Sequence, residues 1–209
     1  KYEAVTATST ANRFGTPDLE FPFGGDNMGR NVFLRTIYGS RYSLSIGFLA
    51  AAISTVLGVF LGSLAGYYGG LVDDIIMRAS DVLASIPGML LGMVIITVLG
   101  QSLQNLIIAV GVTGVPIFVR ITRASVLTIK NQEYVEASRA IGMSHLRVIF
   151  TQVLPNGLSP IIVTFTSSLG LSIIVAASLS FLGFGVPVPK PEWGTLVSAG
   201  RNYIRTSPN

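Results

Sequence analysis

Residues 82–119 read VLASIPGMLLGMVIITVLGQSLQNLIIAVGVTGVPIFV, without one Asp, Glu, Lys, Arg or His. A helix crosses the hydrocarbon core of a bilayer with roughly 20 apolar residues, so this run is too long for one straight crossing. GQSLQN at 100–105 is its polar break, and a tight hairpin is expected there, with spans over Val82–Leu99 and Leu103–Val119. Pro87 and Pro116 fall inside those spans. Each is expected to remove a backbone hydrogen bond and kink its helix, which spanning helices tolerate.

Two further stretches share this character, Tyr42–Val72 and Val148–Pro189. They predict a first span over Ser43–Tyr67 and a last one over Leu158–Phe184, making an all-α, polytopic helical bundle with both ends of the chain on one side. The whole chain is 50% hydrophobic and 11% charged, against about a quarter charged in soluble domains. Gly58, Gly62 and Gly66 recur every four residues in the first span, which puts them on one face where helix backbones can approach closely. GGLVDDIIMRASD at 69–81 reads as a short polar connection to the second span.

Residues 1–41 are polar and rich in turn signals until about Asn31. From there Val32, Leu34, Ile37 and Tyr38 alternate with Arg30, Arg35 and Arg41 in a helical pattern. A helix lying at the membrane surface with its arginines reaching toward headgroups fits this, and so does a solvated lead-in to the first span. The chain opens at Lys1 with no signal-peptide pattern, and one or both ends are expected to be missing.

The formal charge of +4 does not imply nucleic acid, because the basic residues are scattered singly with no aromatic-basic platform beside them. The absence of cysteine excludes disulfides and thiolate chemistry. No HExxH pair and no intramembrane acid is present. The single histidine, His145, reads as an exposed loop residue, and Asp73, Asp74 and Asp81 as solvated span ends. No GxxxxGK[ST] phosphate loop occurs, so the chain does not bind ATP in that manner. If such a protein moves a solute uphill, the energy must arrive from a partner.

The polar interruption between Arg120 and Gly157 is where a partner could push. Its central part, residues 133–155, reads EYVEASRAIGMSHLRVIFTQVLP. Asn131 is a candidate N-cap, and Glu133 stands in the first turn, where the helix dipole favours a negative charge. Tyr134, Ala137, Ser138 and Ile141 recur on one face, and Gly142 suits a left-handed stop. Ser144 is expected to cap a second helix whose stripe is Leu146, Ile149, Phe150 and Val153, ended by Pro155, Asn156 and Gly157. The pair can be a lever that docks in a groove of another protein, or a hairpin that only covers the membrane face. Five basic residues between Arg120 and Arg147 favour a cytoplasmic position for it.

The order Glu136-Ala137-Ser138, Gly142, Gln152-Val153-Leu154-Pro155 resembles the EAA motif of ABC importer permeases, with matching spacing throughout. Ser138 and Gln152 stand where that motif usually has alanine and isoleucine. GGDNMGRNVFLRTIYGSRYSLSIG at 24–47 is similar to the GTDxxGRDVxSRxxYGxRxSLxxG segment of the dipeptide/oligopeptide/nickel permease family, C-type subunit. There Gly25, Asn31 and Leu34 replace Thr, Asp and Ser. PKPEWGTLVSAGRNYIRTSP resembles the segment that precedes that family's final span.

The resemblance implies a type I ABC importer transmembrane domain with six spans when complete, of which four are expected here. It implies residues 1–41 outside, a permease domain over 42–209, and a cytoplasmic coupling loop over 120–157. The implied location is the cytoplasmic (inner) membrane of a bacterium or archaeon. The implied partners are a second homologous permease subunit, two cytoplasmic ABC ATPase subunits and an extracytoplasmic solute-binding protein. ATP and Mg would be bound by the ATPases, with no cofactor or catalytic residue in this chain. ATPase coupling is expected to involve Glu133, Tyr134, Glu136, Ala137, Ser138, Gly142, Leu154 and Pro155. The implied cargo is di- or oligopeptides, with a nickel or metal-chelate importer as the alternative. A passive channel or a membrane scaffold are remoter readings.

Overall fold

The computed structural model describes residues 2–187 and 189–205, so Thr206–Pro208 of the C-terminal segment lie outside the described residues. Among the described residues all regular structure is helical apart from one isolated bridge between Gly25 and Asn31. After a short α1 (Tyr2–Thr6), α2 runs unbroken from Val32 to Tyr68, 37 residues. At 1.5 Å per residue that is about 56 Å, nearly twice the roughly 30 Å hydrocarbon core.

The surface helix expected from Asn31 is therefore no separate element, and the expected boundary at residue 41 falls inside α2. Nothing between Tyr38 and Leu44 stops a helix. Gly39 is tolerated because Trp193 and Pro191 pack against it. Asn31 caps the start, accepting from the Leu34 N–H at 3.0 Å while its amide donates to the Glu20 carbonyl at 2.9 Å.

Gly69 and Gly70, both with positive φ, turn the chain into α3 (Gly70–Ser85). A polar connection was expected here, but Leu71, Ile75, Ile76 and Val82 give it apolar character between its charges. The span expected over Val82–Leu99 is corrected too. Val82–Ser85 belong to α3, and α4 is only Gly88–Leu99, bent 91° from it. Pro87 stands at the N-cap of α4, at the 91° break between two helices, instead of kinking one longer helix. The residue before a proline avoids the α region, and Ile86 is extended with φ −92° and ψ 127°.

The hairpin after α4 is where the sequence put it. Ser102 caps α5 (Leu103–Ile129) by accepting from the Asn105 N–H, and the Asn105 amide donates to the Leu99 and Gly100 carbonyls. Pro116 does lie within α5, which continues well past Val119. The last span matches its expected limits. It comprises α9 (Leu158–Leu179) and a wider π turn to Phe184, ended by Gly183 at φ 94°. By length and composition three helices among the described residues can cross a membrane, or four if the bent α3–α4 pair is one crossing.

The centre of the bundle is α2 against α5. Gly58, Gly62 and Gly66 form the expected close-packing face. A Cβ on Gly62 would stand 2.5 Å from the Val119 carbonyl oxygen, and one on Gly66 would stand 2.9 Å from that of Arg123. Gly58 presses on Phe118, which is fully buried. α4 and α9 complete this side of the core with Ile96 and Leu179. The opposite face of α9 is bare, with Val163, Leu171 and Ile174 exposed.

The N-terminal segment and the region around α10 meet near the α2 N-terminus. The Trp193 backbone N–H donates to Ser43, its indole donates to the Thr36 carbonyl, and Phe14 packs on Tyr203 at 4.9 Å. α10 (Trp193–Gly200) is fixed there by a capping box on Glu192, itself 1% exposed.

Candidate functional site

The loop between α5 and α9 packs on the other end of α2. α6 (Glu133–Ala140) starts one residue later than expected, because Gln132 and not Asn131 stands at its N-cap, and it makes no side-chain cap. Glu133 and Glu136 occupy the first turn and Arg139 the last, each at the helix end whose partial charge favours it. At the far end the Gly142 N–H donates to the Arg139 carbonyl and the Met143 N–H to that of Ser138. With Gly142 at φ +85° this is a Schellman stop.

α6 has one pinned side and one free side. Val135 is fully buried in a cluster with Tyr67, Val126, Val148, Ile149 and Val153. Tyr134, Glu136, Ala137 and Ile141 are exposed, Ile141 to 80%. Glu133 is also exposed, and Ser138 is half-buried with its hydroxyl donating back to the Tyr134 carbonyl at 2.8 Å. The expected face of small and aromatic residues is thus present and uncovered.

The second helix differs from expectation. α7 (His145–Val148) runs through a π turn, Ile149–Val153, into α8 (Leu154–Asn156). Ser144 sits at its N-cap without a side-chain bond. The π turn inserts a residue and rotates the buried stripe, a known effect of such bulges. Val148, Ile149, Val153 and Leu154 are buried, while Leu146 and Phe150 of the expected stripe are half-exposed or more. Pro155 is exposed beside buried Leu154. Gly157 closes the unit, its carbonyl accepting from Ser125 at 3.0 Å.

A set of residues that pattern reasoning missed holds this unit to the bundle. The Tyr67 hydroxyl lies 3.0 Å from His145 Nδ1, and the Tyr67 ring meets Tyr68 edge-on at 5.4 Å. The Arg139 guanidinium lies over the Tyr67 ring at 4.9 Å, a contact worth about 0.5–1 kcal/mol at an exposed site. Lys130 donates to the Gly66 carbonyl at 2.8 Å. His145 is therefore a bonded latch and not only an exposed loop residue. Asp73 and Asp81 are not simple solvated ends either, since Asp73 accepts from Nε and one terminal nitrogen of Arg123, each at 2.5 Å, and Asp81 pairs with Arg120 at 2.7 Å. Tyr67 closes the expected first span, but no sequence pattern ties it to a histidine 78 residues on.

Tyr67→Phe isolates the hydrogen bond from the ring contacts. It should lower stability by about 1 kcal/mol, measured as a fall in thermal midpoint of the purified protein, with α6 still seated through Arg139 and Val135.

What this arrangement offers is a surface: a short helix with a free face, anchored through its back to the end of the longest helix in the bundle. The family described as "Binding-protein-dependent transport system inner membrane component" matches residues 58–204, which include all of it. The chain belongs to this family.

Among relatives of this transport-component family, the chain is 43% identical over 201 residues to the dipeptide transport system permease protein DppC of Alkalihalophilus pseudofirmus. That alignment covers 96% of the chain and 66% of the relative. It is 44% identical to the di/tripeptide transport system permease protein DppC of Pseudomonas aeruginosa, over 88% of the chain and 61% of the relative. It is 41% identical to the glutathione transport system permease protein GsiD of Escherichia coli, over the full chain and 69% of the relative. The chain thus spans about two thirds of the length of these relatives.

In fold it is similar to a chain of the MetNI methionine ABC transporter in an inward-facing conformation, with a TM-score of 0.67 at 20% identity, over 84% of this chain and 83% of that one. It is also similar to a chain of an amino acid ABC transporter, with a TM-score of 0.59 at 18% identity, over 84% and 81%. The fold is that of type I ABC importer transmembrane domains, and the protein is a multi-pass membrane protein.

Proposed function

We propose that this chain is one of two non-identical permease subunits of an ATP-driven importer carrying di- or oligopeptides across a bacterial or archaeal cytoplasmic membrane. Two cytoplasmic ABC ATPases, which bind ATP and Mg, and an external solute-binding protein complete the assembly. The cargo assignment rests on the dipeptide, di/tripeptide and glutathione permeases among the relatives, whose named substrates are all short peptides.

The single observation that carries the mechanism is the two-sided character of α6. Its Tyr134, Ala137 and Ile141 face is exposed, while Val135 and the Tyr67–His145–Arg139 latch join its back to α2. In the proposed cycle the ATPases grip the free face. Closure of the ATPase pair on ATP displaces α6, α2 moves with it, and the path opens alternately to each side. Ala137 permits close approach, Glu133 and Glu136 present negative charge to basic groups of the ATPase, and Gly142 sets the angle at which α6 leaves the loop. The bare face of α9 is left for the second permease subunit and lipid.

The chain has no cysteine, so Ala137→Cys introduces a single thiol on α6. With this variant in the assembled transporter, a short thiol-specific crosslinker should join it to an ATPase subunit and not to the binding protein. Labelled dipeptide uptake into proteoliposomes should require ATP and the binding protein. A thiol labelled only from the exterior, or uptake indifferent to ATP, would overturn the proposal.

A further inference from the structure

At the end of the bundle opposite the coupling loop, a cleft of about 350 Å³ lies between the N-terminal segment, the start of α2, and α10. Among the described residues its charged lining comprises three arginines, Arg30, Arg35 and Arg201, against one carboxylate, Asp26. Arg30 and Arg35 are only 8% and 4% exposed. Asp26 is shared between them unequally, with Oδ2 at 2.7 Å from Arg30 Nε and 3.7 Å from Arg35 Nε.

Arg35 donates one terminal nitrogen to the Val5 carbonyl at 3.2 Å, yet its buried Nε finds no hydrogen-bond partner among the described residues. The backbone makes the imbalance worse. Arg35 is in the first turn of α2, where the helix dipole already favours an anion, and no acidic residue of that turn offsets it. Buried guanidiniums are stable when paired and costly when not. Beside them the cleft wall is apolar, formed by Leu196, Val197 and Ile204.

From this we infer that the cleft is a binding site for a small amphipathic carboxylate. The anionic group would be held by Arg35 with Arg201, and a short apolar body would lie along Leu196, Val197 and Ile204. A planar carboxylate suits the fork of guanidinium donors. The inference goes beyond the transport reading and stands on the charge imbalance of the cleft alone.

The test uses the assembled transporter without its binding protein, in phosphatidylcholine nanodiscs, with N-acetyl-leucine as the probe and calorimetry as the readout. Saturable binding is expected, and N-acetyl-leucinamide, which lacks the charge, should bind at least tenfold more weakly. Arg35→Gln should weaken the probe at least tenfold. Because Arg35 also ties α1 to α2 and its loss can disturb folding, Val197→Trp serves as the second variant. It fills the cleft from an exposed α10 position, leaves every guanidinium in place, and should abolish binding. No binding by the wild type, equal binding of the amide, or unchanged affinity in Val197→Trp would each overturn the assignment. So would a heat signal obtained only when phosphatidylglycerol replaces phosphatidylcholine, since the anion would then be a lipid headgroup.

Discussion

Gly62→Leu should leave little folded protein in detergent. A side chain there cannot be absorbed by rotamer changes, because the first atom it meets is the Val119 carbonyl oxygen of α5, with Thr122 Cβ at 2.8 Å beside it. Helix α5 would have to move away along the whole α2 interface, exposing Phe118 and Val126, which are now buried. Overpacking of a filled core costs about 1–3 kcal/mol and occasionally more. Where the obstacle is backbone, the upper end or beyond is expected. Thermal midpoint and protease resistance report it directly. Gly170→Leu is the matched comparison, since α9 presents nothing within 4 Å of a Cβ there, and helix propensity alone favours the change by up to about 1 kcal/mol. That variant should fold as the parent does. Equal behaviour of the two would show that the glycine face of α2 is incidental.

The second large effect is expected at Gly142, and for a different reason. No atom lies within 4 Å of a Cβ there, so space is not at issue. The constraint is φ +85°, a conformation in which a β-branched residue is severely strained. Gly142→Val should shift the stop at the end of α6 at a local cost of roughly 1–3 kcal/mol. The fold would survive, because Val135 and the Tyr67 latch stay in place. The free face would nevertheless be presented at a new angle. On the proposed mechanism, ATP hydrolysis stimulated by the loaded binding protein should fall tenfold or more in proteoliposomes. Gly142→Asn should retain most of it, since asparagine tolerates left-handed backbone. If valine and asparagine behave alike and both match the parent, the orientation of α6 does not govern coupling.

These two glycines show what the sequence made legible and what it did not. The four-residue spacing of Gly58, Gly62 and Gly66 carries its own meaning, because a period of four on a helix defines a face whatever the rest of the fold does. Gly142 was readable from its place after a short periodic segment. The misreadings arose where tertiary context outranked the local signal. Val82–Leu99 looked like a span because it is uncharged, but Pro87 and the extended Ile86 divided it between two helices at 91°. The arginines at 30, 35 and 41 suggested an interfacial helix, yet α2, which starts just after Arg30, carries Arg35 and Arg41 on into the first span without a break. A π turn at Ile149–Val153 rotated the expected stripe by a residue, which no 3.6-residue periodicity can anticipate. The latch of Tyr67, His145 and Arg139 was out of reach for a simpler reason: its members become neighbours only after the chain has crossed the bundle and returned.

Helix α2 joins the two regions described above. Its N-terminal part is tied to Glu192 and Trp193 through Ser43 and Thr36, and its C-terminal end to the loop through Tyr67. If an unbroken helix of this length, about 56 Å, moves as one body, its two ends are mechanically linked. A tilt of about 10° around its midpoint swings the two tips by about 5 Å in opposite senses. On the proposed mechanism, a push on the foot of this helix would also rearrange the arginine-lined cleft at its head, and a molecule wedged in that cleft would resist the push from the opposite end of the bundle.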